Sequence, residues 1–119
     1  MKTTLLLSVV VLSSFSPIPK DENPGKSGAY VISTNFVKDY INTPSTAKFD
    51  SWTATPTVEM KDNIYVVQYH FDSQNKYGTF MRHTYTCALM WNGHKWESKG
   101  NWLLVFLEID NEVLVSKLK

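Results

Sequence analysis

The chain lacks most of the features on which catalytic, metal-binding and nucleic-acid-binding proteins rely. Cys87 is the one cysteine, which excludes an intrachain disulfide. The net charge is +1 with no run of like charges, and a nucleic-acid surface needs clustered lysine and arginine. His70, His83 and His94 occur in no HxH or HExxH spacing. We therefore expect no metal, no cofactor, no nucleic-acid partner and no enzymatic activity.

Residues 1–16 have the composition of a secretory signal peptide. A methionine and a lysine precede a mostly apolar run that is shorter than the about 20 residues needed to cross a bilayer. The small residues Ser13, Ser14 and Ser16 each offer a cleavage point, although Pro17 disfavours a cut directly before it. This pattern predicts an exported protein, periplasmic or secreted, without membrane insertion once the signal is cleaved. An uncleaved signal would leave it membrane-anchored.

Two segments follow the signal peptide. Residues 17–28 predict a linker, because three prolines, two glycines and four charges in twelve residues disfavour regular structure. Residues 29–119 predict one domain that begins with a helix at 29–42, capped by Ser27 and ended by Pro44. The apolar side chains of this helix recur at i, i+3, i+4 spacing and predict its buried face: Ala29, Ile32, Phe36, Val37, Tyr40 and Ile41. Its predicted solvated face carries Ser33, Lys38 and Asp39.

Alternating polar and apolar residues predict the strands. A first strand at 54–62 precedes a hairpin, whose strands at 64–72 and 79–91 flank a loop at 73–78 that contains a glycine. Symmetry about that loop pairs Phe71 with Met81 and His70 with Arg82. The hairpin's Tyr65, Tyr69, Phe71, Cys87 and Leu89 are then expected on the core face beneath the helix.

Three turn signals occur in the C-terminal third of the chain. Asn92-Gly93 predicts a two-residue hairpin turn that pairs Trp91 with His94. Gly100-Asn101 is compatible with a bulge or a turn, and a bulge is favoured because it puts Trp102, Leu104 and Phe106 on one face. Asp110-Asn111 predicts a last turn before a closing strand at 112–117. The result is an α+β fold, with one N-terminal helix packed across a four- to five-stranded antiparallel sheet in a cystatin-like helix-on-sheet arrangement.

Several short segments carry a resemblance. They are PSTAKF at 44–49, a Val-x-x-Tyr strand, DSQN followed by Tyr77-Gly78 at 72–78, then Arg82 and Cys87. Together they resemble a family of small exported proteins and lipoproteins of bacteria and phages that has no established activity. The similarity covers roughly residues 36–110, with Trp96 or Trp102 in place of the family's last tryptophan.

This chain departs from the family pattern in two ways. It has no lipidation cysteine near the signal sequence, and it extends beyond the last tryptophan. The resemblance implies an exported α+β domain and implies no particular chemistry.

One polar cluster is the candidate binding site. His70, Asp72, Asn75 and Arg82 are predicted near the 73–78 loop, on the face opposite the core. In one interpretation Asp72 or Asn75 caps the loop by accepting backbone N–H bonds and Arg82 braces it. In the other, Arg82 and His70 bind an anionic group of a ligand or partner.

Two further residues have simple structural interpretations. His83 is expected on the core face, half-buried with one hydrogen bond. Cys87 is expected to be a small buried core residue, because a nucleophile needs an exposed, electropositive site.

Three functions remain open from the sequence. The favoured one is a non-enzymatic exported module that binds a protein or an envelope component through its sheet or loop. The second is a helix-on-sheet domain with a small-ligand pocket or a hydrolytic activity, and the third is an inhibitor of a secreted enzyme. A closed cavity lined by His83 and tyrosines would favour the second function, and a flat surface with an exposed aromatic patch would exclude it.

Overall fold

The computed structural model describes residues 23–50, 55–61 and 63–117. The predicted signal peptide, its cleavage points and residues 17–22 of the predicted linker lie outside the described residues. In the described part of the chain, no helix is both long and apolar enough to cross a membrane.

One helix packs on a five-stranded antiparallel sheet, which confirms the predicted α+β fold. The strands follow one another in the sheet in chain order. The elements are α1 (Gly25–Lys38), β1 (Thr57–Lys61), β2 (Ile64–Gln74), β3 (Phe80–Trp91), β4 (Trp102–Ile109) and β5 (Glu112–Ser116), with short 3-10 turns at Pro44–Thr46 and Lys99–Asn101.

The core lies between α1 and one face of the sheet. Ile32 of the helix and Phe71, Leu89 and Leu107 of the sheet are each at most 1% exposed. Burying an apolar side chain of this size stabilises a fold by about 1.5–3 kcal/mol. Tyr65, Phe71, Cys87 and Leu89 lie on this core face as the alternation predicted.

The helix begins and ends four residues earlier than predicted. Pro24 occupies the N-cap position, so Ser27 lies inside the helix and caps nothing. Proline is well tolerated at a helix start because the first N–H groups have no intrahelical acceptor. The Asn23 side chain instead accepts a hydrogen bond from the backbone N–H of Gly25 at 2.8 Å. Residues 25–28 of the predicted linker are therefore helical.

This shift changes which side chains of the helix are buried. Tyr40 was predicted on the buried face but lies beyond the helix end and is 45% exposed. Ser33 was predicted on the solvated face but is fully buried. Its burial is tolerated because both hydrogen-bonding functions of its hydroxyl are satisfied, by Tyr30 and Tyr85.

The β2–β3 register differs from the prediction by two residues. Phe71 pairs with His83, not Met81, and Arg82 pairs with Asp72, not His70. The predicted faces are retained because the shift is even. The cause is the turn, which spans residues 75–79 and lets β2 continue to Gln74.

The predicted Asn92-Gly93 hairpin turn is wrong. Trp91 pairs with Trp102, so residues 92–101 form a longer connection. The Asn92 side chain accepts the backbone N–H of His94 at 2.9 Å, and its own backbone N–H bonds the carbonyl of Asn101 at 3.0 Å. These two bonds favour a wide loop over a tight hairpin.

Gly100-Asn101 is neither a bulge nor a hairpin turn, because both residues lie in a 3-10 turn. The register shift occurs later, opposite the Ala88/Leu89 step. Leu104 pairs with Leu89 and Phe106 with Ala88, so Phe106 lies on the face opposite Trp102, contrary to the prediction. The Asp110-Asn111 turn is confirmed, with φ of 51° and 70°.

Candidate functional site

A groove lies on the core face of the sheet, beyond the C-terminal end of α1. It is open on one side and has a volume of about 530 Å³, within the range of ligand sites. We call it the loop-end groove. Most of its surface area is apolar, supplied by side chains such as Tyr40, Ile41 and Leu114. Nine of its fourteen lining residues are nevertheless polar, among them Asn42, Thr43, Gln74, Asn75 and His83.

A histidine–carboxylate pair forms part of the lining of this groove. His83 Nδ1 lies 2.6 Å from Asp110 Oδ2, and Asp110 Oδ1 accepts the backbone N–H of Thr84 at 3.1 Å. The backbone N–H of Asp110 also donates to the Thr84 carbonyl at 2.9 Å. The β4–β5 turn is thus tied to β3, and the carboxylate is held beside the ring.

The contact with Asp110 determines which ring nitrogen of His83 remains available to a ligand. A carboxylate accepts hydrogen bonds and donates none, so Nδ1 carries the hydrogen in this contact. Nε2 accepts a hydrogen bond in the singly protonated ring and donates one in the doubly protonated ring. The ring also stacks on Phe71, with centroids 5.1 Å apart, and Phe71 stacks on Phe49 at 5.2 Å. The position of His83 is therefore set by packing as well as by its hydrogen bond.

The predicted polar cluster is divided: His70, Asp72 and Arg82 lie on the opposite face, whereas Asn75 lines the loop-end groove. Arg82 Nε and Nη2 donate to the two oxygens of Asp72 at 2.9 and 3.2 Å. This bidentate contact holds the pKa of Asp72 below its ordinary value. His70 pairs across the sheet with Thr84, and its Nε2 lies 3.7 Å from Asp50.

Asn75 caps the loop, as one interpretation predicted. Its side-chain oxygen accepts the backbone N–H groups of Tyr77 at 2.9 Å and Thr79 at 3.1 Å. Asp72 has a different role from the predicted cap, since it pairs with Arg82. The anion-binding interpretation remains a prediction, and Arg82 already has a carboxylate partner.

A second depression, of about 460 Å³, lies beside His70. Gln68, Thr86 and Glu108 line it, so its surface is more polar than that of the loop-end groove. Apolar burial contributes most of the affinity for small ligands, and this depression offers less of it.

The Cys87 thiol in the core is unreactive in the folded state. Burial raises the pKa of the Cys87 thiol to about 12. The structural interpretation of Cys87 therefore holds. Among the described residues, no group of three histidine, cysteine, aspartate or glutamate side chains could hold a metal ion.

The sequence interpretation of His83 was sound but incomplete. It is half-buried with one hydrogen-bond partner, as expected, but Asp110 was considered only as a turn residue. The two residues are 27 positions apart and meet because the β4–β5 turn folds back on β3. The sequence signal that could have revealed the pair is a polar residue at a turn that lies beside a histidine of the neighbouring strand.

Fold and site together define an α+β helix-on-sheet domain with an open, mostly apolar groove and a histidine–aspartate pair. No family model, curated protein or solved structure matches the chain.

Proposed function

We propose that the chain is an exported, non-enzymatic binding module that receives an apolar group of its partner in the loop-end groove. The partner is a protein or an envelope component. The groove is the observation that carries this proposal, because it combines ligand-site volume with a surface that is more apolar than polar in area. Its open side suits a side chain that remains attached to a larger molecule. Export rests on the signal-like composition of residues 1–16.

The contacts of His83 support binding over catalysis. A histidine that activates a nucleophile is hydrogen-bonded to it. In the described ranges, Asp110 is the side chain hydrogen-bonded to His83, and no serine or cysteine side chain is. The proposed role of the pair is therefore recognition. A small free ligand that fills the groove is the alternative in the same site.

The inhibitor function has a separate structural basis. The loop at residues 75–79 protrudes with Tyr77 79% exposed at its tip, and such a loop could enter the active site of a secreted enzyme. The two sites are adjacent, because Asn75 and Lys76 of the loop line the groove. They differ in whether the partner enters the groove beside Tyr40 or contacts the exposed loop tip at Tyr77.

Site-specific photo-cross-linking distinguishes the two. The photoreactive residue benzoylphenylalanine replaces Tyr40 at the groove or Tyr77 at the loop tip, in the full chain expressed in cells that export it. Both tyrosines are exposed aromatic residues, so each variant is the other's control. We expect a stronger cross-link to the partner from position 40 than from position 77, because Lys76 beside Tyr77 also lines the groove. Cross-links from position 77 alone would contradict the groove proposal and favour the inhibitor.

Two further measurements complete this test. Fractionation and N-terminal mass spectrometry should find the chain in the exported fraction, cleaved after Ser13, Ser14 or Ser16. Capture of the cross-linked partner should be unchanged in Arg82→Ala, because Arg82 lies on the opposite face. Loss of the partner in Arg82→Ala would favour the polar cluster.

A further inference from the structure

We propose that β5 pairs antiparallel with β5 of a second copy of this chain, so that the two five-stranded sheets form one continuous sheet. The surface concerned is the open edge of β5, from Glu112 to Lys117. Three features of this strand support the pairing: its exposure, the bulge within it and the charges at its ends. The pairing does not depend on what the loop-end groove receives.

β5 is an edge strand with apolar side chains in solvent. It stands at one end of the strand order, with β4 as its neighbour. Val113 is 52% exposed and Leu114 is 37% exposed. The Lys117 backbone N–H donates to the Val105 carbonyl at 2.7 Å, so by alternation the backbone groups of Ser116 point to the open edge. Such an edge is a template on which another strand can pair.

A β-bulge interrupts β5. Val113 pairs with Glu108, and Val115 pairs with the adjacent residue of β4. Leu114 therefore lies between them as an extra residue. Because side chains alternate between the two faces along a regular strand, the extra residue reverses the alternation beyond it.

The bulge brings Glu112 and Lys117 to the same face. They are an odd number of positions apart, so a regular strand would place them on opposite faces. Glu112 pairs with Ile109, which packs against the core, and therefore lies on the core face. Ser116 pairs with Phe106 on the opposite face, so Lys117 returns to the core face. Neither Glu112 nor Lys117 has an ion-pair partner among the described residues.

This arrangement makes the strand complementary to itself. A two-fold axis through the middle of β5 places Glu112 of each copy opposite Lys117 of the other, on one face. Opposite charges directly across an antiparallel pair are favourable, and like charges are unfavourable. The residue pairs across the axis, each on matching faces, are Glu112 with Lys117, Leu114 with Val115 and Val113 with Ser116. The charge pattern thus selects a second copy of the same strand.

β1, at the other edge of the sheet, is less suited to such pairing. Pro56 lies just before it, and Glu59 and Lys61 place charges along its length. Proline and charged side chains are the devices that keep edge strands from pairing. Val58 is buried, which leaves Met60 as the exposed large apolar side chain of β1.

Sedimentation velocity of the full processed chain at neutral pH tests the association, at concentrations from about 10 μM to about 1 mM. Pairing along one short edge is smaller than a standard interface, so we expect a reversible dimer with a dissociation constant in the micromolar range or weaker. Glu112→Lys and Lys117→Glu should each weaken it about tenfold, because two attractive pairs become repulsive. A wild-type chain that stays monomeric throughout would overturn the proposal.

Mixing the two variants tests the register. Each variant repels itself, but the Glu112→Lys chain and the Lys117→Glu chain carry opposite charges at both contacts. The mixture should therefore form a heterodimer about as tightly as the wild type forms its homodimer, which also shows that both variants are folded. Glu59→Lys makes the same charge change on exposed β1 and is the control. Loss of association in Glu59→Lys, or no recovery in the mixture, would overturn pairing through β5.

Cross-linking in the exporting cells identifies what covers the strand. Benzoylphenylalanine in place of Val113 should give an adduct with the mass of two copies of this chain. An adduct with a different protein alone would overturn the assignment to a second copy. A monomeric chain that still cross-links a partner from position 40 would overturn this pairing and leave the groove module standing.

Discussion

The hydroxyl oxygens of Ser33 and Tyr85 lie 2.8 Å apart in the buried interface between α1 and the sheet. Ser33 Oγ donates to the carbonyl of Tyr30 at 2.6 Å, so its one hydrogen is already directed there. Tyr85 is therefore the donor in the contact between the two hydroxyls. This chain of bonds joins the helix to β3 in the middle of an apolar core.

The donor assignment predicts unequal costs for removing the two hydroxyls. Ser33→Ala leaves the buried Tyr85 O–H without an acceptor and should lower the free energy of unfolding by about 2 kcal/mol. Tyr85→Phe leaves Ser33 still bonded to Tyr30 and should cost about 1 kcal/mol. Denaturant titration measures both. The double variant should lose less than the sum of the two, and an additive loss would contradict the assignment.

Gly28 lies where the helix packs against Trp96 of the 92–101 connection. A Cβ at this position would lie 2.8 Å from the Pro24 Cβ and 3.3 Å from the Trp96 ring. Alanine usually stabilises a helix relative to glycine by about 1 kcal/mol, but overpacking costs about 1–3 kcal/mol. We expect Gly28→Ala to lower thermal stability. Gly100→Ala, whose Cβ meets its nearest atom at 3.9 Å, should leave stability unchanged.

The loop at 75–79 depends on one side-chain oxygen. Asn75→Ala removes the acceptor for the backbone N–H groups of Tyr77 and Thr79 and should cost about 1–2 kcal/mol. Asn75→Asp retains a side-chain oxygen and should recover most of the loss. If both variants were equally destabilised, the side chain's acceptor role would be wrong. Chemical denaturation with a fluorescence readout measures the difference.

Alkaline pH should destabilise the fold through its buried acids. Burial raises the pKa of Cys87 from 9.0 to about 12, and burial together with the Asp50 carboxylate raises the pKa of Tyr30 from 10.0 to about 12. Burial also raises the pKa of Tyr85. Each group is neutral in the folded state, so its contribution is complete below its unfolded pKa. That contribution is lost as the pH rises toward the folded pKa.

The predicted window is therefore pH 9 to about 12. Each group that ionises only on unfolding steepens the loss by up to about 1.4 kcal/mol per pH unit. Denaturant titrations across this window measure the slope. Cys87→Ala should delay the onset until the tyrosines of the unfolded chain begin to ionise near pH 10. A stability that stays constant between pH 9 and 11 would contradict the burial of these groups.

The fold could be predicted from the sequence because its signals are local. Alternation with period two along β2 and β3 separates a core face from an outer face, and the helix shows its own apolar period. Those patterns are sufficient for a helix-on-sheet arrangement. They are also insensitive to an even shift in pairing, so Phe71 could be assigned to the correct face and the wrong partner.

Two features were not predicted correctly, the β2–β3 register and the loop at 92–101. Both depend on competition between local hydrogen bonds. Asn75 uses its side chain to close a turn centred on Tyr77, which moves the register by two residues. Asn92 likewise accepts a backbone N–H two residues on and widens a loop that its Asn-Gly sequence predicts as tight. In both cases an asparagine side chain replaces a backbone acceptor, and composition alone does not show which one is used.

The candidate site could be predicted only in part. His83 was placed correctly, half-buried on the core face near the loop. Its pairing with Asp110 and the groove beside it require the register of β3 with β4 and the position where α1 ends. The polar cluster seemed prominent in sequence because Asp72, Asn75 and Arg82 are polar residues near one loop. In the structure their side chains mainly bond one another or the loop backbone.

The central claim is that the loop-end groove is the binding surface, and a heteronuclear NMR titration of the mature chain with p-cresol, a small and mostly apolar aromatic probe, tests it most directly. We predict that the largest amide shifts occur at His83, Asp110 and Phe71, and that His83→Phe reduces them. Shifts that are largest at Gln68, His70 and Thr86 on the opposite face would contradict the account, as would a spectrum that p-cresol leaves unchanged.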